Sequence, residues 1–384
     1  MEVSKEQLTN QIATTWAALR QDVGEIMNQP DLDSETIKNM LKDETVSSAL
    51  NFLSKNIVNF IGEYIHEDED KNNFVKENFE NLDTSLEIVS ERILADSIAY
   101  GFSVSELVWE LKNNKLYLKR IVPLDPTTIT FVLDKGEIVK VVQKTSNKNI
   151  EIPAEKCFIF RLNQRELYGK TELEKIYRPW KFKSVLFKFW AIAMERYAMP
   201  IAHGKTLGDV DELLDALKTI WSQGVIATDP ETTIELLEPK ATIADSFEKS
   251  IEYANMLIYK GLLLPQLLSG TQNVGSYSLG KIHMDLFLSS VRKIAKYYSE
   301  NIIDSVVAKI LEYNYSDVNN YGQFLESEQP TNDERVKLSQ VISVLVNTGI
   351  VDPIEDNDWI RDLFKFPKNE DTQKVDEEDE KNWN

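Results

Sequence analysis

One cysteine in 384 residues cannot form an internal disulfide, so Cys157, in AEKCFIFRL between apolar neighbours, is expected as a buried strand residue in a reducing compartment. Histidine is nearly as scarce. His66, His203 and His283 lie far apart, none sits in an H-E-x-x-H or similar spacing, and there is no second cysteine for a zinc set, so neither metal nor cofactor is expected. A G-x-S-x-G nucleophile turn is also missing, and the carboxylate pairs, such as Asp209 with Asp211 and Asp356 with Asp358, fall in acidic runs that read as solvated. No uncharged apolar run approaches the ~18 to 20 residues of a membrane span. The N-terminal MEVSKEQLTNQ has neither the basic start nor the apolar core of a signal peptide, and a soluble intracellular protein without a membrane partner is the expectation. Basic charge is short as well: 43 Lys and Arg against 63 Asp and Glu leave a net charge of -20, which argues against a surface built to grip DNA by phosphate neutralisation.

What is present is a mixed pattern. Residues 4–65 read as helical, closing on the acidic run HEDEDKNN, which is taken as a solvated loop. A second helix is capped at Asp83, Thr84 or Ser85, shows an apolar face at Leu86, Val89, Ile93 and Ile98, and ends at Gly101. The period then switches to two. Residues 102–162, rich in β-branched and aromatic side chains with a hairpin at Asp134-Lys135-Gly136, predict a small, mostly antiparallel sheet. Helices are predicted over 171–197, with Pro179 bending or restarting the first and Pro200 stopping it, and over 206–223 and 246–264. GVIATDPETTIELLEP reads as two short strands around a turn. A helix of about thirty residues should run from Gly280 to Tyr313, followed by a helical pair and the polar, acidic tail 367–384, expected to be disordered. The class is α+β.

Two stretches carry possible chemistry. LSGTQNVGSYSLGKIH has Gly270 and Gly275 at the spacing of a phosphate loop, but Ser276 follows with no lysine before it and a helix end, not a strand, precedes it. Gly270, Asn273, Gly275 and Gly280 permit unusual backbone angles, and Thr271, Gln272, Ser276 and Ser278 offer uncharged hydrogen bonds. Such a loop can touch a polar polymer without holding it. The second stretch holds six basic residues to one acidic between Lys175 and Arg196, interleaved with Trp180, Phe182, Phe187, Phe189 and Trp190. A stacking surface for single strands is conceivable. The stronger reading makes the aromatics core or subunit contacts, with the basic residues facing acidic neighbours. A long helix that is apolar on more than one face buries the excess most simply by self-association.

The order of four blocks then matters: DSIAYGFSVSELVWEL, IVPLDPTTITFVLD, YGKTELEKIYRPWKFKSVLFKFWAIAMERYAMPIAHGK and GLLLPQLLSGTQNVGSYSLGKIHMDLF. Together, across residues 83–367, they resemble the portal proteins of tailed bacteriophages, nearest the Mu-like branch. Two departures are Ala198 in ERYAMP, where relatives often carry glycine, and the variable loop between Gly270 and Gly275. The resemblance implies a homo-oligomeric ring, usually of twelve subunits, at one capsid vertex of the virion, assembled in the host cytoplasm. Double-stranded DNA passes through it without sequence specificity during packaging and ejection. It implies partners in the terminase large subunit, capsid or scaffold protein and the head-to-tail connector, and no enzymatic activity.

By the same resemblance, residues 1–167 are a wing containing the sheet, 168–197 a first stem helix, 198–240 a clip and 241–264 a second stem helix. Residues 265–279 are a tunnel loop, 280–330 a long spine helix and its return, and 331–366 a small helical crown. The loop would present Gly270, Thr271, Gln272, Asn273, Gly275, Ser276, Tyr277 and Ser278 to DNA. In the clip, Asp209, Glu212, Asp215 and Trp221 are candidates for motor or connector contact, and Trp180, Lys183, Phe187 and Trp190 for stem and subunit packing. The alternatives are another virion structural or connector protein, or a nucleic-acid-processing enzyme using the Trp180–Trp190 helix.

Overall fold

The computed structural model describes residues 20–27, 29, 31–163, 166–198, 201–205, 209–215, 233–237, 242–265, 277–327, 332–352, 354 and 356–364. The chain divides into two compact units, Met1–Leu325 and Glu326–Asn384.

The first unit opens with helices α1 (20–27), α2 (Ser34–Met40) and α3 (Glu44–Asn59). Asp33 and Asp43 cap α2 and α3, their carboxylates accepting backbone N–H bonds from Thr36 and from Thr45 and Val46. This satisfies donors that a helix start leaves orphaned. Val46, Ala49, Leu50, Leu53 and Ile57 of α3 recur at three and four and are buried. The predicted helical stretch does not reach Ile65 as helix, because β1 (Ile61–Ile65) closes it. Nor is the acidic run a loop throughout. Asp68 caps α4 (Glu69–Glu80), and Glu69 and Asp70 fall in its first turn, where the helix dipole favours carboxylates. Helix α5 (Leu86–Tyr100) starts at the Ser85 cap and ends on Gly101 at φ 87°, as its sequence predicts.

Two three-stranded antiparallel sheets follow where a single sheet is expected. One has the order β3-β2-β7 and the other β4-β5-β6, from β2 (Phe102–Lys112), β3 (Lys115–Pro123), β4 (Ile129–Asp134), β5 (Glu137–Lys144), β6 (Asn149–Pro153) and β7 (Cys157–Arg161). Alternation along β2 explains the split. Phe102 and Val104 face a smaller core with Ile129, Phe131, Val141, Ile152 and Cys157, whereas Leu107 joins the main core with Leu118, Phe158 and Phe160. Cys157 is buried, and burial pushes its thiol up to about 12, which makes it inert as a nucleophile.

Thr171 caps a short 3-10 turn, Glu172–Ile176, that runs into α6 (Tyr177–Ala198), so Pro179 sits in the first turn of a new helix. Strands β8 (Ile201–Lys205) and β9 (Thr233–Leu237) pair antiparallel, with α7 (210–215) between them in sequence. The strand in GVIATDPETTIELLEP thus pairs with a segment that sequence pattern does not mark as a strand. The rest of 206–232 lies outside the described residues, apart from 209–215. Helix α8 (Thr242–Gly261) leads to α9 (Tyr277–Ile302), which continues through a π turn, Ile303–Val307, into α10 (Ala308–Glu312). Ile302, Val306 and Ile310 are all buried. Their spacing of four outruns the 3.6-residue period, and the wider π turn absorbs the difference. Strand β10 (Gln323–Glu326) pairs with β1.

The second unit contains α11 (Asn332–Asn347) and α12 (Asn357–Phe364), the expected helical pair; the acidic tail lies outside the described residues.

Candidate functional site

Helices α6 and α8 run antiparallel. Trp190, late in α6, stacks on Phe247, early in α8, with ring centres 6.3 Å apart and planes within 5°. At the other end Gly261 of α8 lies so close to Ile176 that a side chain there would collide with it. The four residues singled out for stem packing differ in environment. Trp180 is half-buried against the main core, Phe187 is 43% exposed, and Trp190 is half-buried and also stacks on Phe187 at 6.4 Å.

Lys183 is the unusual one, at 1% exposure. Its ammonium has three protons and three kinds of acceptor: Asp43 at 2.9 Å, Glu44 at 2.6 Å and the Thr45 hydroxyl at 3.0 Å. The Thr45 hydroxyl in turn donates to Asn255 Oδ1 in α8 at 3.0 Å. One buried cation therefore ties both helices of the pair to the first turn of α3. The hydrogen bond from Lys183 holds the Glu44 carboxyl below its ordinary range. These partners lie some 140 positions away in sequence, where spacing gives no signal.

A second set of ion pairs flanks Lys183 on α6. Lys181 Nζ contacts Asp22 at 3.1 Å and Glu25 at 2.6 Å, and Lys188 Nζ reaches Asp22 at 3.0 Å, all from α1. Burial opposes the Asp22 charge, but the hydrogen bonds from Lys188 and Lys181 outweigh it and leave the carboxyl below its usual range. The basic residues of α6 do face acidic neighbours at these positions, and the single-strand stacking reading loses the free lysines it requires.

Of the candidate tunnel-loop residues, Gly270, Thr271, Gln272, Asn273, Gly275 and Ser276 lie outside the described residues. Tyr277 and Ser278 do not finish a loop; they open α9, three residues before the predicted start at Gly280. A glycine inside a helix costs only about 1 kcal/mol, and a 26-residue helix that buries one face outweighs it. Flanking the stretch is a cavity of about 240 Å3 lined by Lys260, Leu263, Leu264, Pro265, Leu286, Phe287 and Ser290. Of the clip candidates, Asp209, Glu212 and Asp215 are exposed at and along α7, and Trp221 lies outside the described residues.

The three histidines do not converge on a site. His66 sits between Asn320 and Asp68, His203 is in β8 and His283 in α9. Among the described residues no cluster of three or more His, Cys, Asp or Glu could hold a metal, and no helix is long and apolar enough to cross a membrane.

Among the described carboxylic acids, Asp96 of α5 is the one most displaced from its ordinary value. Burial pushes it up to about 6, against the Arg92 guanidinium at 3.9 Å and with help from the nearby Asp125 charge. A carboxyl raised in the folded state binds its proton more tightly there, so its contribution to stability is present at low pH and is lost as pH rises from about 4 to about 6. Asp96→Asn is therefore expected to raise stability at pH 7 by about 1 to 3 kcal/mol and to flatten that pH dependence. Urea midpoints at pH 4.5 and pH 7 check it; a variant less stable than the parent at pH 7 would refute the assignment.

No curated protein sequence matches this chain. Among solved structures it is similar to a chain of the virion of a native gene transfer agent particle (TM-score 0.65, 10% identity, 89% of this chain and 95% of that one). It is also similar to chains from the neck of the empty particle computed with C6 symmetry (TM-score 0.67, 9% identity, 89% and 95%) and from the neck of the native particle computed with C12 symmetry (TM-score 0.64, 10% identity, 88% and 94%). At such identities the likeness is one of fold. The family profile for the portal protein of Mu bacteriophage matches residues 34–366, which takes in α2 through α12 and all the strands. The chain therefore belongs to the Mu-type family of bacteriophage portal proteins.

Proposed function

We propose that copies of this chain close into a ring of twelve at one vertex of a capsid, and that double-stranded DNA moves through the central channel during packaging and ejection. The observation that carries this reading is the family match over 34–366; the fold shared with chains of a particle neck computed with C12 symmetry supports it. Helices α6 and α8 are the stem, 198–240 the clip that meets the terminase and later the head-to-tail connector, 265–276 the tunnel loop and 331–366 the crown. Capsid or scaffold protein surrounds the wing, residues 1–167. The role is structural, and no step of it calls for a cofactor.

The charge balance suits this task. Each lysine on a channel wall adds a phosphate contact that must be broken as DNA advances, and an acidic chain with an uncharged, glycine-bearing loop avoids that drag. Negative-stain imaging with native mass measurement tests the ring: twelve-fold particles with a central hole are expected, and a monomer that stays monomeric with its capsid and scaffold proteins present overturns the reading. Replacing Gly275 and Ser276 with lysine tests the loop. Rings should still form while packaging slows at least tenfold; unchanged packaging removes the loop from the DNA path.

A further inference from the structure

Helix α1 is attached to α6 by charge. Its acidic residues point at α6, where Asp22 bridges Lys181 and Lys188 and Glu25 takes a second bond from Lys181. Of its apolar residues, Val23 and Met27 are 51% and 70% exposed and Ile26 is half-buried. One further tether, Gln29 donating to the Glu174 carbonyl at 2.9 Å, fixes the segment that follows. The Lys188–Asp22 pair, with Lys188 57% exposed, is of the kind that contributes about 0 to 1 kcal/mol and weakens with salt, whereas Lys181 and Asp22, 16% and 13% exposed, pair largely shielded from solvent. What α1 covers is the most basic stretch of a chain with net charge -20.

We propose that α1 is a charge shield. By holding Lys181 and Lys188 in ion pairs, Asp22 and Glu25 withhold from DNA phosphates a stem helix that would otherwise bind the duplex without regard to sequence. The proposal rests on the reading that DNA is the traffic through the assembly. The geometry of the uncovered face fits that ligand. Lys181 and Lys188 are seven residues apart on one helix face, about 10 Å at 1.5 Å per residue, and duplex DNA presents a phosphate charge every ~1.7 Å along its axis. Lysines can neutralise phosphate as point charges without reading base edges.

The test uses the full chain and a fluorescent 30-base-pair duplex of mixed sequence. Asp22→Asn with Glu25→Gln keeps side-chain shape and removes the shielding charge. At 50 mM salt the double variant should bind the duplex at least tenfold more tightly than the parent. Releasing two lysines should also make its affinity fall about tenfold more between 50 mM and 200 mM salt. Adding Lys181→Gln and Lys188→Gln to the same chain should return binding to the parental level. A folded double variant with parental affinity overturns the shield, as does a gain that survives loss of both lysines. These outcomes are separate from the ring test: parental DNA binding in a double variant that forms normal rings sinks the shield alone, and absence of rings in the parent sinks the portal assembly while the binding comparison stands.

Discussion

Lys183→Met is expected to lower the stability of the first unit by about 2 to 4 kcal/mol, read as a shift in the denaturant midpoint. Methionine keeps the length and the apolar stem of the side chain, so what is lost is the ammonium and its bonds to Asp43, Glu44 and Thr45. Removing one partner of a buried pair costs about 3 to 5 kcal/mol when the other charge stays buried and unpaired. Here the partners escape part of that penalty. Asp43 keeps its backbone bonds to Thr45 and Val46 as the α3 cap, and the Glu44 side chain, 74% exposed, can turn to water. The estimate therefore sits below the full figure. Asp43→Asn, which spares most of the cap, should cost about 1 kcal/mol by itself. A double-mutant cycle between Lys183 and Asp43 should give a coupling of about 1 to 3 kcal/mol. A Lys183→Met chain as stable as the parent would show that the cation contributes nothing net and that α6 and α8 dock on α3 by apolar packing alone.

This cation also marks the boundary of what the sequence discloses. The basic bias of 175–196 and the need for acidic neighbours can be read from composition, because an acidic chain leaves few other places for six positive charges. Which acids they are depends on packing between α6 and segments far away in sequence, and no local pattern encodes it. The same division holds for the fold. Ser85 and Gly101 bracket α5 because capping is a local property. The alternation over 102–162 gives strands correctly but not their partition into two sheets, since partner choice follows from which face of β2 meets which core. Strand β8 is invisible for a related reason. IAHGK carries a glycine and a histidine in five residues, and its partner begins at Thr233. The start of α9 at Tyr277 is not legible in the sequence because Gly280 also permits loop angles, and only the length of the helix decides between the two.

Gly169→Ala should be among the most damaging single-methyl changes in the first unit, with an expected loss of more than about 3 kcal/mol. Two glycines meet there, Gly101 at φ 87° and Gly169 at φ 66°, both in the left-handed region that side chains disfavour. A Cβ on Gly169 would run into the backbone carbonyl of Gly101, and one on Gly101 would lie 2.8 Å from Lys170 N and from Tyr168 O. The obstacles are main-chain atoms, so no rotamer change relieves them. The contact joins the end of α5 to the lead-in of α6, and the Thr171 hydroxyl reinforces it by donating to Ala99 O at 2.6 Å. Gly136 supplies the control: its φ is 90°, but nothing lies within 4 Å of an added Cβ. Gly136→Ala should therefore register the backbone strain alone, about 1 kcal/mol. Equal losses at Gly136 and Gly169 would mean that the close approach adds nothing. A loss at Gly169 several times larger would identify the two-glycine contact as the junction that fixes where the chain turns from α5 and β2 toward α6.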